Sequence, residues 1–209
     1  SMSEFNDNAL RFINELIQNA DDCTYLGTVN TFRMLFDRER DVIEISYPEE
    51  GFTYADVIAL SSIDETNKMG DLKKATTTIG EKGRGFKSLF VYFKEVEIVS
   101  GGYHFKYDIE KSEMTAPIYI AGNTDYKGTS LKLKLKDEIV FSDEESKRTI
   151  KSSIDNLILD VKAFYGSDNP GALFRNNSIM FTRHFSELQI VFRGEMTSEL
   201  ISVVNSHSI

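Results

Sequence analysis

The first part of the chain spaces its apolar side chains three and four residues apart, the period of an α-helix. This pattern predicts a helix over residues 5–22 with one apolar stripe that packs against a core. Glu15, Asn19 and Asp22 follow the spacing i, i+4, i+7 and therefore share another side of the same helix. Taken alone, such a polar set is more often the solvated face of an amphipathic helix than a site. The apolar stripe comprises Leu10, Ile13, Leu16, Ile17 and Ala20.

Alternation of apolar and polar residues with a period of two predicts strands in the middle of the chain. Strands over 31–36 and 42–47 flank a polar turn, and Gly101-Gly102 predicts a tight turn between two further strands. The segment 130–135 alternates leucine with lysine, which indicates a strand with one buried and one solvated face. The remaining predicted strands cover residues 96–100, 103–109 and 117–120.

Helical patterns surround these strands. A short helix is expected after Thr53, a second runs from Gly83 to Phe93, and a third covers residues 143–164. Two short strands are expected near 179–181 and 188–192. This order of elements predicts an α+β fold, a two-layer sandwich with helices on one face of a mixed, mostly antiparallel sheet.

Residues 3–140 are expected to form the main domain. Residues 141–209 would add a helix and short strands, a C-terminal extension packed on that domain or completing it.

Composition excludes several classes of protein. The 209-residue chain has 41% hydrophobic and 27% charged residues, which is ordinary for a globular domain. Its net charge of −9 makes nucleic acid an unexpected partner. The single cysteine, Cys23, excludes an internal disulfide and fits a reducing compartment. No apolar run is long enough to cross a bilayer, so we expect an intracellular protein, cytoplasmic or nuclear, without a membrane partner.

Residues 78–88 form a glycine-rich turn that runs into a helical pattern. Glycines let backbone amides approach a phosphate closely, and a helix N-terminus favours its negative charge. Five basic residues stand against two acidic ones between residues 71 and 87, which suits a polyphosphate. The spacing differs from that of a Walker A loop. Standing alone, the segment fits a glycine-rich connection with solvated lysines equally well.

Three segments, in their order and spacing, resemble the motifs of the GHKL ATPase superfamily, which includes gyrase B, a heat-shock chaperone family, sensor histidine kinases and MutL. Residues 15–22 resemble its N box, 80–88 its second glycine box, and Gly128-Thr129 its third. The sequence of 78–90 is most similar to the ATP-binding domains of sacsin and NO VEIN-type proteins. The resemblance covers residues 5–135 and implies ATP and Mg²⁺ as cofactors.

The resemblance also implies a role for each matching residue. Glu15 would be the general base that activates water, Asn19 the Mg²⁺ ligand, and Asp22 a support of that helix face near the nucleotide. Thr129 would lie at the base end of the pocket, and Lys68 would approach a phosphate from a lid at 61–79. The second glycine box would hold the phosphates through Gly80, Lys82, Gly83, Arg84, Gly85, Phe86 and Lys87.

The chain departs from the family at the first glycine box, Asp-x-Gly-x-Gly, whose Asp accepts a hydrogen bond from the adenine amino group. Aligning Gly51 with the second glycine of that box places Tyr47 at the Asp position. The base-reading carboxylate is then missing, or Glu49 or Glu50 replaces it from a shifted backbone. A site without this acceptor discriminates less between bases.

The resemblance therefore implies an ATP-binding, Mg²⁺-dependent ATPase domain, slow on its own, that acts as a nucleotide-driven switch in a larger sacsin-like or chaperone-like protein. Its partners would be the nucleotide, other domains of the same chain, a client protein and, in one arrangement, a second copy in a homodimer. The alternative is a catalytically weak nucleotide-sensing or interaction module with degraded adenine recognition. A histidine-kinase catalytic domain is a third option.

Overall fold

The computed structural model describes residues 2–57, 89–109, 118–119, 126–142, 147–166, 179 and 182–204. Within these residues two helices exceed four residues, α1 (Met2–Asp21) and α2 (Ile154–Tyr165). Helical turns of four residues also occur at 54–57 and 89–92. The strands are β1 (Asn30–Asp37), β2 (Val42–Tyr47), β3 (Phe93–Ser100), β4 (Tyr103–Asp108), β5 (Ile118–Tyr119), β6 (Thr129–Leu135), β7 (Glu138–Ser142), β8 (Lys147–Lys151), β9 (Phe185–Arg193) and β10 (Ser198–Val204).

Eight of these strands form one mixed sheet in the order β10-β9-β1-β2-β6-β3-β4-β5, and β7 and β8 form a separate antiparallel ribbon. Neighbouring strands in the large sheet are antiparallel except β1 and β9, which pair in parallel over the whole length of β1. Buried and accessible residues alternate along β6 and most of β9, because successive side chains point to opposite faces. The sheet therefore has one face in the core and one facing outward.

The predicted fold class is wrong. Strands dominate the described residues, which contain one large mixed sheet and only two helices longer than four residues. The expected GHKL-type sandwich of helices packed over a sheet does not describe this architecture. Two features that local patterns do not reveal cause the difference. The pairing of β9 with β1 widens the sheet, and residues expected to start a helix form β8 instead.

The third predicted helix begins later than expected. The sequence predicts a helix from residue 143, but residues 147–151 form β8. This strand pairs with β7 and sets Ile150 opposite Ile139. Two consecutive β-branched residues, Thr149 and Ile150, favour this strand because their side chains fit a pleated surface. α2 starts only after Ser153, whose side-chain oxygen accepts a hydrogen bond from the backbone N–H of Asn156 at 3.1 Å. This N-cap sets the start of the helix.

Several local predictions are confirmed. α1 coincides closely with the predicted first helix and buries Ile13, Leu16, Ile17 and Ala20. The hairpins β1–β2 and β3–β4 form as predicted, the second around Gly101-Gly102. The leucines of β6 are buried and its lysines face outward. Side chains of α1, α2 and the inner face of the sheet join one hydrophobic core.

One end of the large sheet brings three chain segments together. β2 ends at Tyr47, β3 ends at Ser100, and β6 lies between them and begins at Thr129. Thr129 is therefore the cross-strand neighbour of both Tyr47 and Ser100. Residues that follow β2 and β3 are thereby brought close to the start of β6.

The turns at this end of the sheet require glycine. Gly51 and Gly128 have φ angles of 99° and 101°, a region that residues with a side chain rarely adopt. A Cβ atom on Gly51 would lie 3.0 Å from the backbone nitrogen of Gly101, and one on Gly128 would lie 2.8 Å from the carbonyl oxygen of Tyr47. The backbones here approach too closely for any side chain.

We expect Gly128→Ala to lower the free energy of unfolding by about 1–3 kcal/mol, because the new methyl group would meet a backbone oxygen at a strained φ. Gly102→Ala is the matched control, since a Cβ there has nothing within 4 Å. Urea unfolding of both variants measures the difference. Equal stability of the two proteins would contradict the close approach at Gly128.

Candidate functional site

A chain of buried polar side chains lies at the end of the sheet where β2, β6 and β3 meet. Thr129 is fully buried and Glu49 is 4% exposed. The hydroxyl of Thr129 donates a hydrogen bond to Glu49 Oε1 at 2.5 Å, and its oxygen lies 2.5 Å from Ser100 Oγ. Ser100 in turn accepts a hydrogen bond from the backbone N–H of Phe52 at 2.8 Å. A buried carboxylate is costly without such partners, so the surrounding residues are arranged to hold it.

The donors in this series of hydrogen bonds all point toward the Glu49 carboxylate. The single hydroxyl hydrogen of Thr129 goes to Glu49, so Ser100 must donate in the bond between the two hydroxyls. The backbone N–H of Phe52 then fills an acceptor position on Ser100. Each group is oriented by the one before it, and the chain ends at an acceptor. A carboxylate accepts up to about four hydrogen bonds, of which Thr129 supplies one.

The C-terminal end of α1 lies beside this carboxylate. The backbone N–H of Glu50 donates a hydrogen bond to the carbonyl of Thr24 at 2.9 Å. The hydroxyl of Tyr25 donates to the carbonyl of Ala20 at 2.6 Å and satisfies a group that the helix end leaves without a partner. Burial raises the pKa of the Tyr25 phenol far above its ordinary value, and the nearby negative charges, Glu49 among them, raise it further. The carboxylate and the helix end therefore share one electrostatic environment.

Tyr47, which the alignment placed at the base-reading position, is a core residue. Its ring stacks on that of Phe32, with centroids 5.7 Å apart and planes 6° apart. Burial raises the pKa of its phenol well above the ordinary value, which keeps the hydroxyl neutral. The buried carboxylate stands two residues later, at Glu49, whereas Glu50 is exposed. Of the two possible replacements, Glu49 is the one that contacts Thr129.

The three N-box residues have different surroundings. Glu15 and Asn19 are half-buried on α1, and the thiol of Cys23 donates to the backbone carbonyl of Asn19 at 3.4 Å. Asp22 is exposed and forms an ion pair with Arg183, with Oδ1 and Nη2 3.3 Å apart. In the part of the chain that the structure describes, no group of three or more His, Cys, Asp or Glu side chains could hold a metal ion. A cation bound here would need ligands from a substrate as well.

Sequence reasoning missed Asp21, which anchors α1. This residue is 4% exposed, and its carboxylate accepts hydrogen bonds from the backbone N–H groups of Arg183 and His184 at 2.8–3.0 Å. Those donors immediately precede β9, so the contact ties the end of α1 to the strand that pairs with β1. The sequence around Asp21 does not predict this contact, because both donors come from the distant end of the chain.

Ser100 was also missed, as a common residue at the end of a strand. No sequence pattern distinguishes it, and only the pairing of β3 with β6 brings it to Thr129.

Most of the predicted phosphate site lies outside the described residues. Lys68 of the expected lid belongs to the segment 58–88, as do Gly80, Lys82, Gly83, Arg84, Gly85, Phe86 and Lys87 of the second glycine box. Their roles stay predictions. The described part of the predicted site contains the hydrogen-bonded side chains of Glu49, Thr129 and Ser100 and the end of α1.

Comparison with known proteins gives one informative similarity. The chain is 37% identical over 103 residues to Protein NO VEIN of Arabidopsis thaliana, a match that covers 49% of this chain. The matched region is 4% of the length of that protein, so this chain corresponds to a small part of it. No family model matches the sequence. Neither of the described helices is both long and apolar enough to cross a membrane.

We expect Thr129→Val to lower the free energy of unfolding by about 1–3 kcal/mol, because the isosteric methyl group removes one hydrogen-bond donor from a buried carboxylate. The control is Ser130→Ala, on the outward face of the same strand, which should change stability by less than about 0.5 kcal/mol. Urea unfolding at neutral pH measures both. A Thr129→Val protein as stable as the control would show that the hydroxyl does not support Glu49.

Proposed function

We propose that this chain is an ATP-binding, Mg²⁺-dependent ATPase domain with the motifs of the GHKL superfamily. The observation that carries the proposal is the buried Glu49 carboxylate, held by Thr129 beside the end of α1. Thr129 belongs to the Gly-Thr motif assigned to the base end of the pocket, and α1 carries the N-box residues. The Glu49 carboxylate, which accepts a hydrogen bond from Thr129, would supply the acceptor that the alignment at Tyr47 lacks.

Glu49 gives the site a reason to prefer adenine. The exocyclic amine of adenine donates hydrogen bonds, and the carboxylate only accepts them, so the two are complementary. Guanine presents a carbonyl oxygen at the corresponding position, which would place two acceptors against each other. A polar site of this kind rejects the wrong base strongly, because the facing acceptors repel each other and the bond to the amine is lost. Thr129 and Ser100 keep the carboxylate in one orientation for this contact.

The residues of α1 fit a magnesium-phosphate group. Mg²⁺ prefers oxygen ligands, keeps several waters and takes other ligands from substrate phosphates, so a single protein ligand such as the carboxamide of Asn19 suffices. When bound, the ion would neutralise charge that develops on the γ-phosphate. Glu15 lies one helical turn before Asn19 and would orient a water and accept its proton. The expected phosphate-binding backbone of the second glycine box would complete the site.

The similarity to Protein NO VEIN supports a role within a larger protein, since this chain matches only a small part of that sequence. In such a protein the domain would act as a nucleotide-driven switch for neighbouring domains, as in sacsin-like or chaperone-like assemblies. The main support for the alternative, a nucleotide-sensing module with degraded adenine recognition, is the alignment of Tyr47 with the base-reading Asp. The buried Glu49 weakens that argument.

Glu49→Gln tests base recognition. We expect the ratio of ATP to GTP affinity to fall at least about tenfold, because the neutral amide loses the charge-assisted bond and can instead donate to guanine. Isothermal titration with each nucleotide in the presence of Mg²⁺ measures the ratio. Glu50→Gln, an exposed neighbour, is the matched control and should leave it unchanged. Absence of nucleotide binding to the wild-type protein would refute the proposed function itself.

Two substitutions on α1 separate binding from turnover. Asn19→Ala should abolish the part of ATP affinity that depends on Mg²⁺, measured by titration with and without the ion. Glu15→Gln should retain ATP binding but lose hydrolysis by about two orders of magnitude or more, measured as phosphate release. Hydrolysis at the wild-type rate in Glu15→Gln would remove this residue from the catalytic role.

A further inference from the structure

The outward face of the sheet carries a basic depression behind the segment that leads to Glu49. It has a volume of about 400 Å³, and none of the described residues that line it is acidic. Two of them are cations, Arg33 on β1 and Lys127 just before β6. Ser46 and Gln189 add neutral polar groups from β2 and β9. Two cations among the described lining residues, with no acidic residue among them, are unexpected in a chain with a net charge of −9.

Elsewhere on this face, three lysines of the described strands form ion pairs. Lys132 lies 3.9 Å from Glu44 and 3.7 Å from Glu97, where β2, β6 and β3 run side by side. Lys106 and Lys134 flank Glu95 at 3.1 and 3.2 Å. These pairs join neighbouring strands, so the charges of β2, β6, β3 and β4 largely cancel.

Arg33 and Lys127 lack this compensation. The cross-strand neighbours of Arg33 are Ser46 and Gln189, both neutral. Neither Arg33 nor Lys127 forms an ion pair with a carboxylate of the described residues. The nearby Glu187 accepts hydrogen bonds from Ser202 and Gln189. The depression therefore contains two positive charges that no described carboxylate pairs with.

Apolar groups border the same depression. Val29 is 80% exposed and Tyr126 is 40% exposed, although both are large side chains that proteins usually cover at least in part. A ligand that uses the whole surface must carry negative charge and an apolar group together.

We propose that this depression, which we call the Arg33–Lys127 surface, binds an acidic peptide segment of a partner protein. Carboxylates of the segment would pair with the two cations, and an aliphatic side chain between them would cover Val29 and Tyr126. A second copy of this chain is disfavoured as the occupant, because two bodies of charge −9 repel each other. Inorganic phosphate would use the cations and leave the apolar rim exposed. This site is separate from the proposed nucleotide site and does not depend on it.

The test is an NMR titration of the ¹⁵N-labelled protein with the acetylated pentapeptide EELEE and its neutral counterpart QQLQQ. We expect EELEE to cause saturable changes in amide chemical shift that are confined to residues 29–33, 46, 126–127 and 189. Binding should weaken in 0.5 M NaCl, roughly the concentration at which the electrostatic screening length falls to a few ångströms. QQLQQ should bind at least about tenfold more weakly.

Charge-reversal variants provide the control. Arg33→Glu combined with Lys127→Glu should reduce affinity for EELEE at least about tenfold, whereas Lys132→Glu combined with Lys134→Glu, on the paired part of the same face, should change it less than about twofold. Circular dichroism establishes that each protein is folded. Equal losses in the two double variants, or equal binding of QQLQQ, would overturn the proposal. Sodium phosphate producing the same shifts and displacing EELEE at matching concentrations would also overturn it, in favour of a small-anion site.

Discussion

The hydrogen bond from Thr129 to Glu49 joins the start of β6 to the segment that follows β2. A carboxylate that is almost fully buried must be held by hydrogen-bond donors, and the hydroxyl of Thr129 is one of them. Ser100 at the end of β3 and the backbone N–H of Phe52 after β2 extend the same series of hydrogen bonds. The bond helps to fix this end of the sheet, because loss of the Thr129 donor would leave the buried charge less well compensated. Gly51 and Gly128 lie next to these residues, and they let the backbones approach closely enough for the polar groups to meet.

Parts of this architecture follow from the sequence because they depend on neighbours in the chain. The helical spacing of α1 and the alternation of leucine and lysine in β6 are local patterns, and both predict the observed elements. The hairpin at Gly101-Gly102 is predicted for the same reason, since a two-residue turn carries its own conformational signature.

The rest depends on contacts between distant residues. Glu49 and Thr129 are 80 positions apart, so no local pattern indicates that this particular glutamate is buried. The extent of the sheet, which makes the predicted sandwich wrong, rests on the parallel pairing of β1 with β9. α2 starts later than predicted because Thr149 and Ile150 belong to β8, whereas the charged sequence at 143–145 on its own favours a helix N-terminus. The sequence does not distinguish Glu49 from Glu50, and only the folded chain shows that Glu49 is the one that contacts Thr129.

The parallel pair of β1 and β9 also has a consequence for synthesis of the chain on the ribosome. β1 is made early, yet its partner on one side lies near the far end of the described residues. Until β9 emerges, the nascent sheet ends at β1 and exposes a row of backbone groups beside the aromatic side chains of Phe32 and Phe36. Such an edge is prone to pair with other chains, and closing a contact of this sequence separation is slow. Translation that pauses before β9 should therefore favour aggregation over folding.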